Sequence, residues 1–346
     1  MRLLVTGGAG FIGSAFVRRR LAATSDSIVV LDKLTYAGNR ENLEAVERDP
    51  RYEQRFRFVQ GDIADARLVG ELMGEVEGVV NFAAETHVDR SILDPAAFLR
   101  TDVMGVHTLL EACRQLSDRA GNIRFLQVST DEVYGSVESG ACREEDAIAP
   151  RSPYAAAKAA GELLARAYHE TYGLDTVVTR GSNTYGPYQH PEKLVPLFVT
   201  NALDTQPLPL YGDGLQRRDW LYVDDHADAV GFVFDQAPSG GVYNVTAGEE
   251  RANREVTDAI LARLGKPWSL VRQVADRPGH DRRYAMNGSR LAALGWRPAV
   301  GFEEGMARTV DWFVANERWW RQLKDRDWER YYDRQYGRRL AESVPA

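Results

Sequence analysis

The first half of the chain alternates short apolar runs with longer amphipathic stretches. Runs that are apolar on both faces, such as residues 28–31 (IVVL), predict strands buried between two layers of helices, which is typical of a parallel sheet. We predict strands at residues 2–6, 28–32, 56–60, 79–83, 123–129 and 175–180, and helices at residues 12–22, 40–48, 66–75, 97–116 and 154–172. This alternation predicts an α/β fold with a doubly wound parallel sheet.

After about Tyr185 this alternation of apolar runs and amphipathic stretches ends. Prolines punctuate the chain, and residues 212–214 (GDG) predict a turn. We expect a smaller C-terminal α/β portion that lies against the sheet and binds the substrate. The predicted division is a dinucleotide-binding domain at residues 1–185 and a substrate-binding portion at residues 186–346. The chain can cross this soft boundary, because the strand at 175–180 can return to the first sheet.

Composition narrows the class of protein. The chain has 346 residues, of which 44% are hydrophobic and 27% charged, as in ordinary globular proteins. The net charge of -7 argues against nucleic acid or an anionic membrane as partner, and no apolar run has the length of a membrane span. Cys113 and Cys142 form no CxxC pair, which favours the cytoplasm, and the histidines form no metal-binding pattern.

A glycine-rich segment joins the first predicted strand to the first predicted helix. Gly7, Gly10 and Gly13 allow a tight turn and the close approach of backbone to a pyrophosphate, which the amino end of the helix then stabilises. Asp32 lies 19 residues after Gly13, at the end of the second predicted strand, where a carboxylate takes the ribose hydroxyls of a dinucleotide. Because an acidic residue there repels a 2′-phosphate, the pattern favours NAD over NADP. The sheet is therefore predicted to be of the Rossmann type. Asp62, after the third strand, is a candidate for the adenine side.

Two polar clusters are candidates for catalysis. Tyr154 and Lys158 are spaced to share one face of a helix, and an ammonium group beside a phenol lowers its pKa and makes it a base. Residues 129–132 (STDE) follow a predicted strand at its carboxyl end, where open α/β sheets bind ligands. Two adjacent carboxylates, Asp131 and Glu132, can divide the roles of acid and base. The alternatives are an exposed helical pair and a solvated strand exit.

These motifs resemble those of the extended short-chain dehydrogenase/reductase superfamily, and within it the dTDP-glucose 4,6-dehydratase family. The resemblance extends to about Trp320. It is carried by residues 6–13 (TGGAGFIG), 32–39 (DKLTYAGN), 83–91 (AAETHVDRS), 129–135 (STDEVYG), 186–194 (GPYQHPEKL), 218–220 (RDW) and 276–280 (DRPGH). The TDE triplet points to the dehydratase branch, since related epimerases have other residues there.

The resemblance implies NAD as cofactor, dTDP-glucose as substrate and a 4-keto-6-deoxy sugar nucleotide as product. Tyr154 would remove the proton of the sugar 4-hydroxyl during hydride transfer from C4, with Thr130 bonded to that hydroxyl and Lys158 on the cofactor ribose. Glu132 would then remove the C5 proton, and Asp131 would protonate the departing 6-hydroxyl. A homodimer through the helices at 97–116 and 154–172 is also implied, although Leu109, Leu110, Leu163 and Leu164 on these helices can equally be intrachain core.

The resemblance also implies the binding residues. Those for the cofactor are Gly7, Gly10, Phe11, Ile12, Gly13, Asp32, Lys33, Leu34, Thr35, Asp62, Ile63, Phe82, Ala83, Ala84, Thr101, Tyr154, Lys158 and Thr184. Those for the substrate are Thr86, Thr130, Asn183, Lys193, Leu194, Pro209, Leu210, Tyr211, Arg218, Asn253, Asp276, Arg277 and His280. A surface ion pair with Asp213 or Asp219 is the alternative for Arg218.

Three positions depart from the family pattern, and two other functions stay open. Thr86 replaces the usual serine, while Gly181 and Thr184 replace a cysteine and an asparagine, so that the contacts with substrate and cofactor are expected to differ in detail. One alternative is another nucleotide-sugar enzyme of this fold, such as a 4-epimerase or a decarboxylase. The other is a catalytically silent NAD-binding regulator, which the presence of both Tyr154 and Lys158 disfavours.

Overall fold

A computed structural model describes residues 1–120, 123–277 and 279–345 of the chain. Pro278, within one of the sequence motifs, lies outside the described residues. The strands are β1 Arg2–Thr6, β2 Ser27–Asp32, β3 Phe56–Gln60, β4 Gly78–Asn81, β5 Arg124–Thr130, β6 Thr176–Gly181, β7 Asn183–Tyr185, β8 Leu208–Tyr211, β9 Arg217–Tyr222, β10 Val242–Val245, β11 Glu250–Ala252, β12 Val271–Val274 and β13 Val344–Pro345.

Fifteen described α-helices accompany these strands. They are α1 Phe11–Ala23, α2 Glu44–Glu47, α3 Ala66–Met73, α4 Val88–Leu93, α5 Pro95–Phe98, α6 Val106–Ala120, α7 Pro153–Tyr172, α8 Leu194–Leu203, α9 Val223–Gln236, α10 Asn253–Leu264, α11 Ser289–Leu294, α12 Phe302–Ala315, α13 Glu317–Leu323, α14 Arg326–Tyr332 and α15 Arg338–Ala341.

Seven parallel strands form the central sheet, in the order β10-β6-β5-β4-β1-β2-β3. Successive residues of β1 point to opposite faces: Leu3 belongs to the core cluster that contains Phe16 of α1, and Leu4 to the cluster that contains Leu109 of α6. Helices therefore cover both faces, which explains why strands such as β1 and β2 carry apolar residues on both faces. The predicted doubly wound α/β fold is confirmed.

One predicted helix is continuous but irregular. Instead of a single helix over residues 97–116, the chain forms α5, a π-helical segment Leu99–Gly105, and α6. Close packing accompanies the irregular turn, because a Cβ on Gly105 would lie 2.5 Å from Cδ1 of Ile63. The predicted helix over residues 40–48 likewise divides into a 3-10 turn Arg40–Leu43 and α2.

The second half of the chain builds two small sheets of the described strands, ordered β11-β9-β7 and β13-β12-β8. They share a core with α8, α10, α12 and α13, in which Tyr185, Trp220, Phe313 and Trp320 are buried. The chain also crosses back, because β10 pairs with β6 at the edge of the central sheet. The division at residue 185 stays a prediction about domains, since the segments on its two sides exchange strands.

Candidate functional site

The glycine-rich loop leaves a cavity at the carboxyl end of β1. Gly7 has a φ of 67°, and a Cβ on it would lie 2.5 Å from the backbone nitrogen of Ala83. A Cβ on Gly13 would lie 3.0 Å from the carbonyl carbon of Gly7. The loop thus has room for backbone only, and the backbone groups at the start of α1 face the cavity that a pyrophosphate would fill.

Asp32 closes the far end of this cavity. Its two carboxylate oxygens accept hydrogen bonds from the backbone nitrogens of Ala9, at 2.9 Å, and Leu34, at 2.8 Å. Each oxygen keeps a further lone pair, so the carboxylate can accept from ribose hydroxyls. Beside it Lys33 pairs with Asp62 at 2.7 Å. The fold therefore brings together the residues predicted for the adenosine side.

Most of the predicted cofactor residues line this first cavity. They are Gly7, Gly10, Phe11, Ile12, Gly13, Asp32, Lys33, Thr35, Asp62, Ile63, Phe82, Ala83, Ala84, Thr101, Tyr154, Lys158 and Thr184. Leu34 does not line it: its φ of 55° turns the chain, and its side chain packs against the core around β2.

At the end of β5 the chain turns into a 3-10 segment, Asp131–Tyr134, capped by the side chain of Thr130. Asp131 is buried and Glu132 partly exposed, and both line the first cavity. Burial, and then the charge of Glu132, raises the pKa of Asp131 to about 8. Burial also raises the pKa of Glu132, but the guanidinium groups of Arg277 and Arg218 oppose it. The two adjacent carboxyl groups thus have different surroundings.

Tyr154 and Lys158 lie one turn apart on α7 and face the same cavity. The Lys158 ammonium donates to the carbonyl of Val128 at 2.6 Å. Burial and then the charges of Glu132 and Asp102 raise the pKa of Tyr154, while a hydrogen bond with Thr130 lowers it. Among the protein groups that act on Tyr154, the carboxylates therefore favour the neutral phenol.

A second cavity adjoins the first. Both are lined by Glu132, Tyr154, Asn183, Glu192, Lys193, Leu194 and Trp220, so the two cavities meet where the catalytic candidates lie. The second contains the predicted substrate residues Pro209, Leu210, Tyr211, Arg218, Asn253, Arg277 and His280. Thr86 lines the first cavity and accepts a hydrogen bond from Lys193 at 3.3 Å.

Arg218 is buried rather than exposed. Its guanidinium donates to the carbonyls of Arg217, at 2.7 Å, and Asp281, at 2.8 Å, and lies 4.1 Å from the ring centre of Tyr284. The surface ion pair considered as its alternative is wrong. Asp213 pairs with Arg282 instead, and the carboxylate of Asp219 accepts from the Thr246 hydroxyl and from the backbone nitrogens of Ala247 and Glu249. A buried arginine at the wall of a cavity is well suited to an anionic ligand.

Asp276 is the one predicted substrate residue outside the lining of both cavities. Its carboxylate pairs with Nδ1 of His280 at 2.5 Å and accepts from Gln216 at 3.0 Å. It therefore orients His280, which does line the second cavity.

Several lining residues escaped the sequence prediction. His87 and Asp89 lie in the second cavity and belong to a motif singled out above, so the motif could have indicated them. Tyr336 of the C-terminal segment also lines it, next to Tyr211 with ring centres 6.0 Å apart. A contact between segments so distant in sequence leaves no local signal.

The departures at Gly181 and Thr184 meet at one histidine. A Cβ on Gly181 would lie 2.7 Å from Nε2 of His226, so the glycine makes room for the imidazole. Thr184 donates to the carbonyl of Ser182 at 3.0 Å, and its oxygen lies 2.7 Å from Nδ1 of His226. Because the hydroxyl has one proton, Nδ1 carries the proton of the ring.

Two negative findings apply to the described ranges. No helix within them is both long and apolar enough to span a membrane. No group of three or more histidine, cysteine, aspartate or glutamate residues in the same ranges is arranged to hold a metal ion.

Comparison with known proteins gives a matching family model and close relatives in sequence. The family model for GDP-mannose 4,6 dehydratase matches residues 4–309. The chain is 51% identical over 333 residues to a dTDP-glucose 4,6-dehydratase of Streptomyces niveus, covering 94% of this chain and 97% of that one.

Solved structures agree. The dTDP-glucose 4,6-dehydratase of Streptomyces venezuelae, crystallised with NAD, is 52% identical with a TM-score of 0.90, covering 94% of this chain and all (100%) of that one. The UDP-glucose 4-epimerase of Thermus thermophilus in complex with NAD is 37% identical with a TM-score of 0.83, covering 91% of this chain and 100% of that one.

Proposed function

The chain belongs to the dTDP-glucose 4,6-dehydratase family, and from that premise we propose that it converts dTDP-glucose to dTDP-4-keto-6-deoxyglucose and water with NAD as cofactor. The observation that carries the proposal is the pair of adjacent carboxyl groups, with Glu132 at the junction of the two cavities and Asp131 beside it in the first cavity. Loss of water needs one group that gives a proton and one that takes a proton, and the pair has unequal surroundings.

The glycine-rich loop, Asp32 and Lys158 would hold the cofactor in the first cavity. When bound, NAD supplies the acceptor and later the donor of hydride, and its oxidised ring adds a positive charge that favours the Tyr154 phenolate. Tyr154 is the base for the sugar 4-hydroxyl, and Thr130 orients that hydroxyl. Lys158, four residues along α7, reaches the same end of the cavity.

Elimination follows from the oxidised sugar, because a ketone at C4 acidifies the proton at C5. Glu132 takes that proton, because it is open to both cavities. Burial raises its pKa, which makes it a stronger base than an exposed carboxylate, and the charges of Arg277 and Arg218 limit that rise. Asp131 gives a proton to the leaving 6-hydroxyl, since its raised pKa of about 8 keeps it protonated at neutral pH. The departing hydroxyl group and the proton from Asp131 form the water. The proton on Glu132, which can exchange with solvent, returns to C5 when hydride is added at C6, and the proton that Tyr154 took from the 4-hydroxyl restores the acid form of Asp131.

The nucleotide would occupy the second cavity. Arg218 and Arg277 supply positive charge for a diphosphate, and Pro209, Leu210 and Tyr211 supply apolar and aromatic surface for the base. The discrimination of thymine from uracil rests on one methyl group, which is worth about 1–3 kcal/mol in such a pocket.

The test is a panel of dTDP-, UDP- and GDP-hexoses with the purified protein. We expect the alkali-induced absorbance of a 4-keto product with dTDP-glucose, and deuterium from solvent at C5. UDP-galactose formation without that absorbance would favour an epimerase. Activity with a GDP sugar alone would contradict the substrate, and NAD binding without exchange at C5 would favour a silent regulator.

We further propose that the protein is a cytoplasmic homodimer. Cys113 and Cys142 are free, as a reducing compartment allows. Leu109 and Leu110 are buried in the chain's own core, whereas Leu163 of α7 is 46% exposed. Leu99 and Met104, both 56% exposed, lie on the π-helical segment before α6. Large exposed apolar side chains on packed neighbours suit a subunit interface, so Leu163→Glu should yield monomers in light scattering.

A further inference from the structure

The C-terminal segment, residues 326–337, packs beside the second cavity. It consists of α14 and a π-helical turn, Asp333–Gly337, and it follows Trp320, at about which the resemblance to the dehydratase family ends. Beyond it, β13 pairs with β12, and β12 pairs with β8, the strand that carries Tyr211. The end of the chain is therefore attached to the sheet whose strand β8 faces the proposed nucleotide base.

Aromatic rings fix the C-terminal segment to the core of the second half of the chain. Trp328 and Tyr332 stack with ring centres 4.9 Å apart, and the centres of Tyr332 and Tyr336 are 5.0 Å apart. Asn201 of α8 donates a hydrogen bond to the Tyr332 hydroxyl at 3.2 Å. Rings packed in this way give the segment a defined position relative to the cavity.

Gln335 begins a series of polar contacts along the wall of the second cavity. Its Nε2 donates to the Tyr211 hydroxyl at 2.7 Å, and that hydroxyl donates to Oδ2 of Asp89 at 3.2 Å. Oδ1 of Asp89 lies 3.5 Å from the guanidinium of Arg277, and Tyr211, Asp89 and Arg277 all line the cavity. Because the one proton of the phenol goes to Asp89, the amide of Gln335 fixes the other side of the Tyr211 hydroxyl.

Tyr336 is itself part of the cavity wall. It is buried, and its ring centre lies 6.0 Å from that of Tyr211 with an angle of 33° between the planes, which is contact distance for an aromatic pair. The hydroxyl of Tyr331 lies 3.2 Å from Nδ1 of His87, another lining residue. The C-terminal segment thus meets the lining of the second cavity through three side chains, those of Tyr331, Gln335 and Tyr336.

Resting on the nucleotide-sugar substrate proposed above, we propose that the C-terminal segment completes the base end of the substrate site. Tyr336 is a wall residue against which the base packs, and Gln335 is a positioning residue that holds the ring of Tyr211. The arginines of the cavity serve the phosphates, whereas a flat aromatic wall suits a planar pyrimidine. Packing of a base on an aromatic ring accounts for about 5- to 150-fold in affinity.

The direct test is calorimetric titration of dTDP, and of UDP as a second pyrimidine nucleotide, into the protein with NAD bound. Tyr336→Leu keeps an apolar side chain in the core but removes the flat ring, so the Kd for both nucleotides should rise at least about fivefold. Gln335→Met keeps the length of the side chain but lacks the donor to Tyr211, and the Kd should rise roughly fivefold. The Kd for NAD should stay unchanged in both variants.

Two controls separate these roles from a loss of packing. Leu340→Ala removes an apolar side chain from the same core, at a position outside the described lining of both cavities, and should leave the Kd for dTDP unchanged. Tyr211→Phe removes the acceptor of the Gln335 bond, so adding Gln335→Met to it should weaken dTDP binding no further. Additive losses, or wild-type affinity for dTDP in Tyr336→Leu, would overturn the proposal.

Hydrogen exchange in the wild type gives a second measurement that needs no variant to fold. Binding of dTDP should slow the exchange of backbone amides in residues 326–337, whereas NAD alone should not. Unchanged exchange in these residues with dTDP bound would overturn the proposal.

The formation of keto-sugar tests the proposed function separately. If dTDP binds as described but dTDP-glucose gives no product, the proposed function fails and the role of the C-terminal segment stands. If the product forms while Tyr336→Leu binds dTDP like the wild type, only the role of the segment fails. Absence of dTDP and UDP binding in the wild type would overturn both.

Discussion

The hydroxyl of Thr130 donates a hydrogen bond to Oδ1 of Asp131 at 3.0 Å, whereas Oδ2 of the same carboxyl group is buried and unpartnered within the described ranges. A neutral carboxylic acid can place its proton on that free oxygen. Glu132, the next residue, is more open and faces two arginines. Adjacent positions in the sequence thus have the two environments that an acid and a base require.

Separate substitution of the pair should separate the steps of the reaction. Asp131→Asn should retain the exchange of deuterium at C5 but slow the loss of water by about 10²–10⁴-fold, because the leaving hydroxyl loses its acid. Glu132→Gln should abolish the exchange itself. Mass spectrometry of the sugar in heavy water measures both. Glu138→Gln, exposed and outside both cavities, is the control, and wild-type dehydration by Asp131→Asn would refute the assignment.

The carboxyl group of Asp131 should make the stability of the protein depend on pH. Its folded pKa of about 8 lies above the ordinary value of 3.8, so the folded state binds its proton more tightly than the unfolded state. The contribution of this bound proton to the free energy of unfolding is fully present below pH 3.8 and is lost progressively as the pH rises to about 8. Asp131→Asn should therefore unfold at a higher temperature than the wild type at pH 8, with a smaller difference at pH 5. Calorimetry measures the two unfolding temperatures. An equal difference between variant and wild type at both pH values would contradict the raised pKa of Asp131.

The parallel sheet was predictable from sequence because its strands are apolar on both faces and short. The prediction of one regular helix over residues 97–116 was incomplete where packing overrides local pattern: the helix continues through these residues but widens into the π-helical segment, beside Ile63 and Gly161. The strand β10 was missed, since four residues, Val242–Val245, carry little periodicity of their own. Pairing with β6 decides their conformation.

The candidate site was predictable where motifs follow strands directly. The glycine loop, Asp32, residues 129–132 and the Tyr154–Lys158 pair follow this rule, and the fold brings them to one cavity. Contacts between distant segments were not predictable: Tyr336 reaches the second cavity from the C-terminal segment, and Asp102 approaches α7 through Gly161. Neither contact has a local signature.

Gly13→Ala should abolish NAD binding. Its new methyl group would overlap the carbonyl of Gly7, which already accepts from Gly10 at 3.1 Å, and backbone cannot move aside cheaply. The matched control is Gly70→Ala in α3, where a Cβ meets nothing within 4 Å. That control should bind NAD normally and gain about 0.5–1 kcal/mol of stability, because alanine favours a helix. Calorimetric titration measures the NAD affinity of both variants. Affinity retained by Gly13→Ala would contradict the role of the glycine-rich loop in cofactor binding.

Glu162→Gln should destabilise the protein strongly. It leaves the guanidinium of Arg180 buried without its counter-charge, a loss of about 3–5 kcal/mol in the free energy of unfolding. Glu342→Gln breaks the exposed pair with Arg338 at 2.9 Å and should leave the free energy of unfolding unchanged within error, because solvent screens the pair. Denaturant unfolding of the two variants gives the comparison, and equal losses would show that burial does not set the strength of the pair.

Gly181→Ala tests the departures from the family pattern. Its methyl group would lie 2.7 Å from Nε2 and 3.3 Å from Nδ1 of His226, so the ring must shift and its hydrogen bond to Thr184 should break. Loss of one such bond costs about 1 kcal/mol. If the bond holds Thr184 in the position in which it contacts the cofactor, the Kd for NAD should rise roughly fivefold.

Thr184→Val removes the same bond without touching the ring, because valine keeps the shape and lacks the hydroxyl. It should weaken NAD binding by a similar factor, and the double variant should be no worse than Gly181→Ala alone, since both changes break one bond. Additive losses would instead mean that Gly181 and Thr184 act separately on the cofactor cavity. Unchanged NAD affinity in all three variants would show that the Thr184–His226 bond does not contribute to cofactor binding.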